Sequence, residues 1–257
     1  MSSTILITGA SSGIGLELSR VCASHKHDVI LVARSGELLN GLSAELQEEF
    51  KIQAHVLSID LTKENAALEI VAWCVNRNLS VDILVNNAGL GDFGFFHESE
   101  WQRQRDMIDV NITALTQLTH AFLPQMIKRG NGLIVNIAST ASFQPGPMMS
   151  VYYASKAYVL HFTEAIRNEV KAKGIKVMAV CPGITATGFQ KVAGIKPGIL
   201  QKGKKIPTAR EIAIYIYEAM MTDKPIAIPG FMNKLMTSAY RFLPRGLLVK
   251  IARSIQD

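Results

Sequence analysis

The sequence predicts an α/β fold, one parallel sheet wound with helices on both faces, and three observations predict it. Apolar runs of strand length alternate with longer amphipathic segments along the whole chain, which is the pattern of strand and crossover helix repeated. Runs such as Val29-Ile30-Leu31-Val32 and Leu133-Ile134-Val135-Asn136-Ile137 lack polar alternation, as strands covered on both sides do. A chain of 257 residues with 48% hydrophobic content buries one sizeable core without dividing into equal domains.

Taken in order, strands are expected near 4–8, 28–33, 53–59, 81–86, 132–138, 175–181 and 225–229, with helices near 13–25, 36–50, 63–77, 98–128, 150–173 and 208–222. Right-handed crossovers then give a doubly wound sheet of about seven strands. Cys22, Cys74 and Cys181 are odd in number, widely spaced and set in apolar runs, so they read as reduced core residues of an intracellular, cytoplasmic protein with no metal-ligand spacing. No apolar run reaches membrane-spanning length, and the N-terminus enters its first strand without a signal-like segment. Residues 1–190 carry 15 Lys and Arg against 17 Asp and Glu, whereas 191–257 carry 12 against 4. The basic balance therefore belongs to the C-terminal quarter, which suits either a solvated surface or an anionic partner. No nucleic-acid module accompanies it.

The first strand ends in Thr8-Gly9-Ala10-Ser11-Ser12-Gly13-Ile14-Gly15, and a helix begins inside that run. Glycines placed between a first strand and a first helix permit a tight turn and close approach of backbone to a pyrophosphate, with helix N–H groups facing the anion. Gly9, Ser11, Ser12, Gly13, Ile14 and Gly15 are thus candidates for dinucleotide binding, although the spacing is not GxGxxG. After the second strand come Ala33-Arg34-Ser35, with no carboxylate for a ribose 2′-hydroxyl and a guanidinium suited to a 2′-phosphate. This favours NADP, with NAD as the alternative; a surface turn is the plain reading of Arg34. Asp60, followed by Leu61, either accepts from an adenine amino group or caps the next helix. Asn86-Asn87-Ala88-Gly89 follows the fourth strand at the carboxyl edge of the sheet, where ligands of open α/β folds bind. The glycine-rich, aromatic loop after it, with Phe93, Phe95 and Phe96, either walls an apolar pocket or packs in the core, as do Phe143, Met148, Met149 and Phe189.

Tyr152 and Lys156 stand four residues apart in a helical segment and share a face. An ammonium beside a phenol favours the phenolate and brings tyrosine towards useful acidity. Tyr153 is three residues from the same lysine, so spacing alone leaves the two tyrosines in competition. Thr8-Gly9-x-x-x-Gly13-x-Gly15, Asn86-Asn87-Ala88-Gly89, Asn111, Ser139, Tyr152-x-x-x-Lys156 and Pro182-Gly183 occur in that order. With these motifs the chain resembles the short-chain dehydrogenase/reductase family over essentially its whole length, in the smaller single-domain branch.

The resemblance implies a Rossmann-type NAD(P)-dependent oxidoreductase that interconverts a carbonyl and a secondary alcohol, as a homodimer or homotetramer. It selects Tyr152 over Tyr153 as general acid/base, with Lys156 lowering its pKa and holding nicotinamide ribose, Ser139 bonding the substrate oxygen, and Asn111 perturbing its helix and anchoring a relay water. It also places Asn87, Ala88, Gly89, Pro182, Gly183, Ile184 and Thr187 against the cofactor. A non-catalytic NADP-binding regulatory protein is the competing reading. Residues 1–230 are expected to form the catalytic domain, with a substrate loop near 188–207 whose Lys191, Lys196, Lys202, Lys204 and Lys205 suggest an anionic substrate tail or plain solvation. The extension 231–257, apolar residues interleaved with bases and broken by Pro244, is expected to pack on the same domain or a second subunit, with peripheral contact to an anionic membrane as the other reading. An apolar substrate is expected from the phenylalanines and methionines around the pocket.

Overall fold

β-Branched and leucine runs form the strands and amphipathic runs the helices of a computed structural model, which describes residues 2–195 and 206–256. The first half comprises β1 (Thr4–Thr8), α1 (Gly13–Ser24), β2 (Asp28–Ala33), α2 (Gly36–Phe50), β3 (Ala54–Ser58), α3 (Ala66–Asn76) and β4 (Ile83–Asn86). The second comprises α4 (Trp101–Ile108), α5 (Leu115–Arg129), β5 (Gly132–Ile137), α6 (Ser150–Val170), β6 (Ile175–Val180), α7 (Phe189–Val192), α8 (Ala209–Met220), β7 (Ile226–Ala227), α9 (Phe231–Ala239) and α10 (Arg245–Gln256).

Among the described residues the strands form one seven-stranded sheet in the order β3-β2-β1-β4-β5-β6-β7, with every ladder parallel. The order reverses between β1 and β4, which places the ligand crevice of such a sheet at their carboxyl ends. Alternate residues serve the two faces: Ile5, Ile7, Val29 and Leu31 pack with Leu18 and Leu39 on one side. Leu6, Ile30 and Leu84 pack with Ile70, Leu118 and Phe122 on the other. Each such side chain removed from water contributes about 1.5–3 kcal/mol, which is why neither face tolerates polar alternation.

Three expected elements differ from the structure. The helix anticipated over 98–128 begins at Trp101, and the perturbation expected at Asn111 takes the form of a π-helical turn over Asp109–Ala114. Strand 225–229 shrinks to Ile226–Ala227, because Pro225 and Pro229 flank it and lack ladder donors. The third helix starts at Ala66 rather than 63. The tail does divide at Pro244, with α9 and a short 3-10 turn before it and α10 after it. Lys196, Lys202, Lys204 and Lys205, and most of the expected 188–207 loop, lie outside the described residues.

Candidate active site

Where β1 turns into α1, glycine is required by contact distance. A Cβ on Gly15 would lie 2.3 Å from the Gly9 carbonyl oxygen, and one on Gly9 would lie 2.9 Å from Ala88 Cα. Gly9 and Gly13 also adopt φ of +68° and +55°, a region glycine enters without steric cost. Thr8 fixes the approach of β1 to β4: its hydroxyl accepts from the backbone amides of Asn87 and Ala88, both at 3.0 Å, and donates to Val85 O at 3.3 Å. The Asn87 amide nitrogen donates to Thr8 O at 2.8 Å. Ser12 precedes α1 without a side-chain cap bond, so the first-turn amides keep donors for an outside acceptor. Thr187, from the segment after β6, stands 3.4 Å from where a Gly13 Cβ would be. A smooth, donor-rich hollow closed by Thr187 fits a dinucleotide pyrophosphate.

At the carboxyl end of β2 the Arg34 side chain is exposed and, among the described residues, makes no ion pair or hydrogen bond; only its backbone oxygen is engaged, by Ser58. Asp60 accepts from Thr62 N at 3.1 Å through one carboxylate oxygen. It therefore closes a turn and does not cap α3, whose preceding residue is Asn65. Leu61 beside it is buried.

The crevice's second wall comes from β5 and α6. Ser139, two residues past the end of β5, caps a short 3-10 turn over Thr140–Phe143 by accepting from Ala141 N at 3.1 Å. Its hydroxyl donates to Pro182 O at 3.4 Å and stands near enough to the Tyr152 phenol to oppose the rise in its pKa. Lys156 is buried, with Nζ donating to Ile137 O at 2.8 Å and lying 5.9 Å from the Tyr152 ring centroid. Asn111 is 1% exposed and sits inside the π-helical turn. Its side chain closes a pair of hydrogen bonds with the Leu90 backbone, at 2.8 and 3.0 Å, and donates to Ser155 Oγ at 3.0 Å. Gly89 marks where these groups converge, since its Cβ position is 3.4 Å from Lys156 Nζ and 3.5 Å from Asn111 Oδ1.

The electrostatics differ from the expectation that lysine lowers the tyrosine pKa. Burial pushes the Tyr152 phenol up to about 12, opposed mainly by the Ser139 hydroxyl. Burial also pulls the Lys156 ammonium down to about 8. The reason is geometric: Lys156 is directed to a backbone carbonyl, so desolvation outweighs its field at the phenol. At neutral pH the phenol is held protonated, the form a proton donor needs, beside a largely cationic lysine.

Tyr152 belongs to an apolar cluster with Phe93, Met149, Tyr153, Phe189, Ala193 and Ile195, its ring 5.3 Å from that of Phe189. Tyr153, edge-on to Tyr152 with ring centroids 6.0 Å apart, also packs against Gly146, where a Cβ would fall 2.2 Å from its ring. Of the other aromatic candidates, Phe95 and Phe96 are exposed, Phe143 joins a separate cluster behind the site, and Met148 has φ +64° while its carbonyl holds Gly94 N at 2.9 Å. Gly183 abuts Asn233 of α9, Pro182 O accepts from Thr140 N at 2.9 Å, and Ile184 is 38% exposed. Sequence reasoning missed the supports. Ser142 donates to Lys156 O at 2.7 Å, and Ser155 joins Asn111 to α6. Ser142 carried one signal, its spacing of three from Ser139, which forms a reciprocal cap.

Comparison with known proteins agrees with this architecture. The short chain dehydrogenase family model matches residues 3–196. Serine 3-dehydrogenase of Agrobacterium fabrum is 36% identical over 237 residues, 89% of this chain and 92% of that one. Among solved structures, a short-chain dehydrogenase from Sphingobium yanoikuyae in complex with NADPH is 32% identical with a TM-score of 0.85, covering 95% of this chain and 94% of that one. The bulky-bulky ketone specific alcohol dehydrogenase from Comamonas testosteroni is 31% identical with a TM-score of 0.79, covering 93% of each. The chain belongs to the short-chain dehydrogenase family and is an NAD(P)-dependent oxidoreductase.

Proposed function

We propose that this family member interconverts a secondary alcohol and a carbonyl compound with an apolar body, using NADP(H), with Tyr152 as general acid/base. The observation that carries the reading is that the Tyr152 phenol, with the Ser139 hydroxyl beside it, packs in one cluster with Phe93, Met149 and Phe189. A hydroxyl pair beside an apolar wall polarises one oxygen and accepts a hydrocarbon next to it.

NADP is favoured over NAD because Arg34 offers a guanidinium without a partner among the described residues where a 2′-phosphate would lie, and β2 ends without a carboxylate. The similar Sphingobium structure holds NADPH. Gly9, Ser11, Ser12, Gly13, Ile14, Gly15 and Thr187 are the assigned phosphate cradle; Asp60 and Leu61 flank adenine. Asn87, Ala88, Gly89, Pro182, Gly183 and Ile184 line the nicotinamide half. When bound, the cofactor supplies or accepts a hydride. In reduction, Tyr152 gives its phenolic proton to the carbonyl oxygen, and Ser139 stabilises charge developing on that oxygen. Lys156 holds positive charge near the phenol and contacts ribose, while Asn111 positions the proton path to it by fixing Leu90 and Ser155.

Residues 231–257 are proposed as an extension of the 1–230 catalytic domain, docked through Asn233, which donates to Pro229 O at 2.7 Å, and through Arg253, 5.1 Å from the Phe95 ring centroid. Two or four copies are proposed to assemble, which sedimentation velocity would read. Free buried Cys22, Cys74 and Cys181 suit a reducing cytoplasm, and no helix among the described residues is long and apolar enough to cross a membrane.

The test is NADPH oxidation over a panel of alkyl and aryl ketones, with L-serine oxidation by NADP+ as the polar comparator, since a relative acts on serine. Turnover is expected to rise with the apolar bulk of the ketone. Serine oxidation exceeding every ketone would overturn the apolar substrate, and preference for NADH would overturn the cofactor.

A further inference from the structure

Beside β7, away from Tyr152, a cavity of about 320 Å³ opens between β7 and α9. Half-buried Phe143 and Ile228 line it together with exposed Lys224, Lys234, Ser238 and Arg241. None of the three cations has a carboxylate or hydrogen-bond partner for its side chain among the described residues. The acid next in sequence, Asp223, is taken by Arg167 at 2.8 Å. Tyr215 and Thr237, which also line the cavity, donate to Ile228 O and Asn233 O, so the polar capacity left over is cationic.

The same helix presents a second feature. Phe231, Met232 and Leu235 are 78%, 57% and 53% exposed and fall within about 100° of the α9 circumference. Lys234 borders that arc, and Phe242, 87% exposed, follows in the next turn. A hydrocarbon arc next to a cluster of uncompensated cations matches the two layers of an anionic bilayer surface, acyl chains and phosphate headgroups. Charge complementarity extends along the tail. Residues 231–256 contain Lys234, Arg241, Arg245, Lys250 and Arg253 and no carboxylate side chain.

We infer that α9 and the adjoining cavity form a docking surface for an anionic phospholipid membrane, with Lys224, Lys234 and Arg241 receiving a headgroup phosphate while Phe231, Met232, Leu235 and Phe242 enter the acyl layer. The surface is separate from the residues assigned to catalysis, so the inference stands independently of the substrate. It places the oxidoreductase at a surface from which apolar molecules partition.

Flotation of the full chain with phosphatidylcholine vesicles, with and without phosphatidylglycerol, tests it. Binding is expected only with phosphatidylglycerol and should fade with added salt. Each Lys or Arg near an anionic leaflet contributes about fivefold to partitioning, so Lys234→Gln with Arg241→Gln should lower retention about 30-fold. Phe231→Ser with Phe242→Ser should lower it about a hundredfold, and both variants should keep wild-type ketone reduction and thermal unfolding. Equal binding to both vesicle types, no binding, or retention in both variants would each overturn the inference. So would sedimentation in which the same substitutions dissolve an oligomer while vesicles are ignored, because a second copy would then cover the arc. Thermal stabilisation by glycerol 3-phosphate equal to that by vesicles would assign the cations to a soluble phosphate instead.

Discussion

The glycine cradle between β1 and β4 and the wall around Tyr152 form opposite sides of one crevice, yet they are specified by different physics. In the cradle, backbone meets backbone: Gly15 faces the Gly9 carbonyl and Gly9 faces Ala88 Cα, so only residues without a Cβ fit. In the wall, side chain meets side chain or the bare face of a glycine. Phe189 lies on Gly91, and Tyr153 lies on Gly146. Backbone contacts leave a residue-type signature, whereas side-chain contacts admit many solutions of similar volume. The side proposed for the cofactor is therefore rigid and readable, and the side proposed for the substrate adaptable.

The largest effect should come from the one wall residue whose chemistry has no substitute. Tyr152→Phe keeps the ring contact with Phe189 but removes the proton donor, and ketone reduction should fall about a thousandfold with unchanged thermal unfolding. Tyr153→Phe should stay within a few-fold, and equal losses in the two variants would mean the phenol assignment is wrong. Next comes the cradle itself. Gly15→Ala must move the Gly9 peptide or the Asn87 side chain, at about 1–3 kcal/mol of stability, and the displaced pyrophosphate hollow should weaken NADPH binding about a hundredfold. Isothermal titration would read the second change and calorimetry the first.

Arg34 tests the cradle's outer end. Replacing it by Asp would remove the charge-assisted bond proposed to a 2′-phosphate, about 1.5–3 kcal/mol, so the kcat/KM for NADPH should drop about 10- to 100-fold while that for NADH rises. Lys156 tests the junction of the two sides. With its pKa drawn down to about 8 by burial, its charge is present below that pH and lost above it. Reduction should decline about tenfold per pH unit on the basic limb, and Lys156→Arg, which stays charged, should abolish the limb while lowering the plateau. The same shift acts on stability with opposite sign. The unfolded chain keeps this proton up to its ordinary lysine pKa, so this group's contribution to folding rises as pH climbs through and above 8.

The sequence made the cradle legible for the reason given above. Thr8, Gly9, Gly13, Gly15, Asn87 and Arg34 are each tied to a contact or a charge that few residue types supply. A parallel sheet covered on both faces followed likewise from continuous apolar runs, which leave no solvent face. The interruption at Asp109–Ala114 was less readable, because a π-helical turn costs one residue of register and leaves no gap in the apolar pattern of the helix. Asn111 hinted at it, being polar in an apolar run, but its partners, the Leu90 backbone and Ser155 Oγ, stand 21 and 44 positions away. The pKa of Tyr152 was not legible at all. Spacing brought Lys156 to the correct face, but the carbonyl of Ile137, which draws Nζ away from the phenol, is fixed by tertiary packing of β5 against α6.

Gly91→Ala gives the smallest expected effect and the sharpest contrast with Gly15→Ala, since the two substitutions add the same methyl group on opposite sides of one crevice. At Gly91 the new Cβ would meet Phe189 Cζ at 2.4 Å, as close as the Gly15 contact but against the far end of a ring. Phe189 opens α7, a helix of four residues, and can turn about its side-chain torsions without moving a strand. Stability should stay within about 1 kcal/mol, NADPH affinity should be unchanged, and the KM for bulky ketones should rise about threefold as the ring tips towards Tyr152. If Gly91→Ala instead destabilised the fold as much as Gly15→Ala, the substrate wall would be as backbone-limited as the cradle, and the division between a rigid cofactor side and an adaptable substrate side would fail.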